Sequence, residues 1–166
     1  MKGLSLLKNL QNVIRRTLSK VLLLAAFLFG ASAATAQTFT GGSGPIHDLT
    51  TIDIPLTVTG LIPANIDTIG FGLEAVCIDL THTWDGDLEI SLVAPDGTTT
   101  LLAAGQGGGG HNYTNTCFTD TSALGIWQGS PPFTGEFRPQ SQMGVVNNQQ
   151  NGNGTWFLRV TDTYGA

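Results

Sequence analysis

His82, Trp84, Asp85, Asp87 and Glu89 crowd into the first eight residues of the stretch HTWDGDLEISLVAPDGTTTLL. Three readings suit such a group: acid–base catalysis by a histidine with carboxylates, a cation held by oxygen ligands, or acids that merely solvate the end of a strand. A hydrolytic triad needs a nucleophile, a base within hydrogen-bond reach and an acid that orients the base. His47, His82 and His111 are the candidate bases, and no serine sits in a G-x-S-x-G elbow. Each histidine is therefore read as structural, and no catalytic residue is assigned. Zinc is not expected, because three scattered histidines and two distant cysteines make no ligand spacing. The run GQGGGG (105–110) lacks the Lys-Ser/Thr of a phosphate loop and is read as a mobile loop.

Calcium suits the acids better. Hard cations take several carboxylate and carbonyl oxygens, and Asp85 and Asp87 flank a flexible glycine. Asp162 joins them if the ends of their strands meet. Solvated acids that discourage edge pairing remain the other reading.

The elements that must position these groups are strands. Short β-branched runs alternate with Gly, Pro, Asn and Asp, and no sustained helical period appears, which predicts an all-β sandwich or barrel. Residues 50–60 (TTIDIPLTVTG) form the first strand, and Pro55 pushes it to a sheet edge. IGFGLEAVCIDLTHTW is the longest candidate, with Val76, Ile78, Leu80, His82 and Trp84 on one face. DLEISLVA places Leu88, Ile90, Leu92 and Ala94 inward and Asp87, Glu89 and Ser91 outward, and the Pro95-Asp96-Gly97 turn returns it through TTTLLAA. FTGEF is a short strand, and GTWFLRVTD brings Trp156, Leu158 and Val160 together.

Residues 1–36 stand apart. Five Lys and Arg precede the uncharged run VLLLAAFLF, and Ala34-Thr35-Ala36 offers a small-x-small cleavage site, the pattern of a signal peptide. The apolar run is shorter than the roughly 20 residues of a spanning helix, so no membrane span is expected after cleavage. Beyond position 36 two arginines face twelve acids, a formal charge of −10 without a lysine. That balance excludes nucleic acid and anionic membrane surfaces as partners, since both need clustered cations. In an exported protein Cys77 and Cys117 form one disulfide, the alternative being two buried thiols. The sequons at Asn112 and Asn153 mark exposed loops.

The stretch LTHTWDGDLEISLVAPDGTTTLLAA, PFTGEFRP and the later GTWFLRVTD together resemble the P domain, or Homo B domain. That module lies beside the subtilisin-like catalytic domain of kexin- and furin-type proprotein convertases and of bacterial secreted proteases. The resemblance covers roughly residues 50–166, with 37–49 as a short spacer. It implies a jelly-roll-like, galactose-binding-like β-sandwich without a triad, which supports the folding, stability and calcium or pH response of a serine endopeptidase. It also implies calcium at Asp85, Asp87 and Asp162. The family pattern continues past TDTYGA to a final strand, so a strand is expected to be missing here, and the module follows a leader rather than a protease. Two functions stay open: an accessory to proteolysis by a subtilisin-like partner, or a binding or adhesion module of a secreted or cell-surface protein.

Overall fold

The computed structural model describes residues 36–165, and the leader expected over 1–36 lies outside them apart from Ala36. The architecture is all-β, with single 3-10 turns and no α-helix among the described residues. The strands are β1 (Thr51–Val58), β2 (Asn65–Asp67), β3 (Val76–Leu80), β4 (Leu88–Val93), β5 (Thr99–Ala104), β6 (Tyr113–Phe118), β7 (Gly135–Phe137), β8 (Asn148–Asn151) and β9 (Gly154–Asp162). They build a four-stranded sheet in the order β1-β9-β4-β5, a three-stranded sheet β3-β6-β7 and a two-stranded pair β2-β8. The two larger sheets face each other as a sandwich. Ile90, Leu92, Trp156 and Val160 from one meet Ile78, Leu80, Phe118 and Phe137 from the other in a single core. Each such side chain contributes roughly 1.5–3 kcal/mol by leaving water.

Strand β9 lies between β1 and β4 in the larger sheet. It pairs antiparallel with β1 from Thr51↔Thr161 to Val58↔Gly154, and with β4 from Leu88↔Asp162 to Val93↔Phe157. Pro55 lies on β1, the edge strand, as its missing N–H requires. The β4–β5 hairpin closes over Pro95-Asp96-Gly97. Gly97 adopts φ 88°, its N–H donates to the Ala94 carbonyl, and Asp96 Oδ1 accepts from Thr98 N–H at 2.8 Å. Ser91 points outward as its period demands, yet it is buried between its cross-strand neighbours Arg159 and Leu101.

The longest candidate strand is cut to five residues. Before it, Asp67 Oδ1 accepts the N–H groups of Ile69 (2.8 Å) and Gly70 (2.6 Å), folding the chain into a tight loop. After it, Asn112 Oδ1 takes the N–H of His82 at 3.0 Å, and the chain bends into a 3-10 turn over Asp85–Asp87. Trp84 consequently leaves the inner face and is 55% exposed. Residues 37–49, expected as a spacer, run along β1. Gln37 bonds Gly60 and Ile62, Gly42 N–H meets the Pro55 carbonyl at 3.4 Å, and Phe39 and Ile46 pack on the core.

Cys77 and Cys117 are Cα partners across the β3–β6 ladder, 4.0 Å apart, and are joined by a disulfide. A positive φ of 48° at Asn115 resets the β6 alternation, so that Tyr113 and Thr116 both turn inward.

Candidate functional site

The acid-rich turn sits where the ends of β3, β4, β6 and β9 converge. Asn112 links them. Its side chain accepts from His82 N–H, and its own N–H donates to Asp85 Oδ1 at 2.9 Å. It holds a left-handed φ of 73°, a conformation asparagine tolerates better than most residues.

His82 bridges β3 to β9. Its Nε2 lies 3.0 Å from Asp162 Oδ2, and Asp162 Oδ1 accepts from Tyr164 N–H at 2.9 Å. The other ring nitrogen, Nδ1, is 3.2 Å from Trp84 N and 3.0 Å from Trp84 O. A neutral ring that donates from Nε2 to the buried carboxylate accepts the Trp84 N–H at Nδ1, and a protonated ring turns Nδ1–H to the Trp84 carbonyl. Either way both nitrogens are engaged in tying strand ends together. The pairing has the look of a base and its orienting acid, but the position that would face a nucleophile is taken by backbone. His47 and His111 are exposed and far from being a second such pair.

Asp85 is fully buried. One carboxylate oxygen has the Asn112 N–H, and Oδ2 has no hydrogen-bond partner among the described residues. Burial pushes its carboxyl above the ordinary range, an effect opposed by the Asn112 N–H and the nearby His82 and His111. Tyr113 is also buried, stacked on Phe133 with ring centroids 4.7 Å apart, and its hydroxyl has no hydrogen-bond partner among the described residues either. Burial first, and then the Asp85 charge, drive the Tyr113 phenol far up. Two orphaned polar atoms in one neighbourhood mark a place that prefers a proton, a water or a cation.

The glycine run, expected as a loop, folds over this place as a lid. Gly108 O accepts from Gly86 N–H (2.8 Å), and Gly110 O accepts from Asp85 N–H (2.9 Å). A Cβ on Gly86 would come within 2.9 Å of Gly108 Cα, and one on Gly107, at φ 91°, within 2.8 Å of Pro131 and 2.9 Å of Phe133. The glycines serve close packing as well as turning.

The three acids singled out as a calcium set occupy different settings. Asp85 is buried beneath the lid, Asp162 is buried against His82, and Asp87 is half-buried. The Asp87 carbonyl accepts from Thr163 N–H (2.8 Å) and Thr163 Oγ1–H (2.7 Å), so the strand ends do meet. Among the described residues no three His, Cys, Asp or Glu side chains are grouped as a ready metal site. The sequon asparagines are not loop ornaments: Asn112 is the hub just described, Tyr113 beside it is buried, and Asn153 holds Leu61 through Oδ1 and Nδ2.

The family model of the proprotein convertase P-domain matches residues 74–166, more than half of the chain. The chain belongs to that family. P domains are non-catalytic accessory domains of proprotein convertases, and the all-β sandwich described above agrees with that family. Among the described residues no helix is long and apolar enough to cross a membrane.

Sequence reasoning missed Asn112, Tyr113 and the lid. The available signal was the His-Asn-Tyr stretch that follows the glycines, which sequence alone reads as a loop tip.

Proposed function

We propose that this chain is exported and serves as the accessory module of a subtilisin-like serine endopeptidase, supporting the folding and stability of that enzyme. Family membership supports the association, and one observation carries the non-catalytic half. His82 spends Nε2 on Asp162 and Nδ1 on the Trp84 backbone, so the base that a hydrolase would need is used to lock β3 to β9. The leader pattern over 1–36 and a disulfide that suits an oxidising compartment support secretion.

Calcium belongs to the same proposal. The orphaned Oδ2 of Asp85 supports an oxygen-seeking cation there, with Asp87 as the second carboxylate expected from the sequence. Asp162, already bonded to His82 and Tyr164, contributes mainly charge. A bound calcium would neutralise the buried carboxylate and tighten the junction of strand ends. Differential scanning fluorimetry of the purified chain, with calcium and with chelator, tests this part. A higher melting temperature in calcium supports it, and coincident curves remove calcium from the account.

The protease association is tested by recovering the chain from the secreted fraction of its own cells and labelling with a fluorophosphonate. Co-elution of a labelled subtilisin-like enzyme supports the proposal. Recovery with a surface ligand and no labelled enzyme would favour the binding or adhesion reading.

A further inference from the structure

The Cys77–Cys117 disulfide faces outward. Cys77 is exposed and Cys117 half-buried, on the solvent side of the β3-β6-β7 sheet. Both line a cleft of about 550 Å³, and its wall carries Asp67, Glu74, Asp120 and Glu136 and no Lys, Arg or His among the described residues. Glu136 is the register partner of Cys117 on β7, which puts its carboxylate on the same face beside the bond. An exposed disulfide with Glu136 beside it, in a cleft whose other charged wall residues are acids, presents an accessible bond in a negative field.

We propose that this disulfide is a thiol-exchange site in the folded protein and that its carboxylates select the attacking thiol by charge. Exchange proceeds by attack of a thiolate RS⁻ on one cysteine sulfur. The S–S bond breaks, its electron pair leaves on the other cysteine, and that thiolate takes a proton from solvent. A second RS⁻ attacks the mixed disulfide, releasing RSSR and the second reduced cysteine. Two thiols thus supply the two electrons. The attacking species is an anion, so each nearby carboxylate slows it, and a thiol carrying its own ammonium group escapes that repulsion. Thiols with extra negative charge are held off. The chemical class that this site takes is therefore the cationic aminothiol.

Opening the bond has a structural consequence. Strand β3 is a sheet edge with β6 as its ladder partner, and its C-terminal end leads directly to His82 and Asp85. The disulfide is the covalent tie of the strand that carries the acid-rich junction.

Folded chain is treated with cysteamine, 2-mercaptoethanol or 2-mercaptoethanesulfonate at equal thiolate concentration, quenched in acid, alkylated and weighed. All three should reduce it at rates proportional to thiol. At about 10 mM salt cysteamine should be about tenfold faster than the sulfonate, and at about 1 M salt the gap should close. Glu136→Gln with Glu74→Gln should narrow the low-salt gap, and the wild-type series is decisive if that variant misfolds. A rate independent of thiol, set by global unfolding, would overturn the exchange site. Equal low-salt rates for the three thiols would overturn charge selection.

Discussion

Asp85→Asn keeps the shape of a buried side chain and removes its charge. Oδ1 still accepts from Asn112 N–H, while the orphaned oxygen becomes an amide that is cheaper to bury. An unsatisfied buried charged group costs on the order of 2 kcal/mol, so the variant should be more stable by about that amount in chelator at neutral pH. For a domain of this size that corresponds to a rise in melting temperature of about 8 °C. The sign follows from linkage. Burial raises the Asp85 carboxyl above its ordinary value, so the folded state holds that proton more tightly than the unfolded chain does. The ionised group opposes folding at neutral pH, and the opposition fades as pH falls through the raised value. The advantage of Asn should therefore shrink in acid. Calcium should reverse the order, because only wild type carries the carboxylate that would anchor the ion. Urea or thermal unfolding at several pH values, with calcium and with chelator, reads all of this. A variant less stable than wild type in chelator at pH 7 would refute the account of Asp85 as an uncompensated buried charge.

Further outcomes are expected elsewhere in the fold. Replacing Cys77 and Cys117 by alanine removes a cross-link of 40 residues, worth about 4 kcal/mol on chain-entropy grounds, and a loss below about 1 kcal/mol in urea titration would contradict it. His82→Ala leaves the buried Asp162 carboxylate without its partner and should cost about 2–3 kcal/mol, whereas peptide hydrolysis by wild type that vanishes in this variant would overturn the non-catalytic reading. Gly107→Ala should lower stability by more than about 2 kcal/mol in thermal melts, since its φ of 91° and the contacts with Pro131 and Phe133 leave no room. Arg159 holds the Asp53 carboxyl below its ordinary range through bonds of 2.7 and 2.8 Å at the surface. Arg159→Ala should thus destabilise the fold only slightly at neutral pH, and the difference should disappear as acid protonates Asp53, which urea titration at low pH would show.

Period-2 alternation made β9, β4 and β1 legible, because Trp156, Val160, Ile90 and Leu92 have no polar competitor for the inner face. The Pro95-Asp96-Gly97 turn was legible through its own φ requirements, and the cysteine pair through its even count. What stayed hidden was non-local. The shortening of β3 depends on Asp67 and Asn112 capturing N–H groups near its two ends, and Asn112 comes from a segment 30 residues away from His82. A glycine run looks the same in sequence whether it waves in solvent or packs on Asp85. Acids beside a strand end are usually solvated, so nothing in HTWDGDLE announced that Asp85 would be sealed while Asp87 would not. Strands β2 and β8, made of Asn, Gln and Asp with one buried Ile66, carry too little alternation to be foreseen.

An exported module that works beside a serine endopeptidase without catalysing should be recovered together with that enzyme. The chain is immunopurified from the medium of the cells that make it, labelled with a fluorophosphonate and analysed by mass spectrometry. The expected product is a labelled subtilisin-like catalytic domain, linked to this chain or bound to it, with no label at any serine of residues 37–166. Label within those residues, or recovery from the medium with no labelled protease, would contradict it.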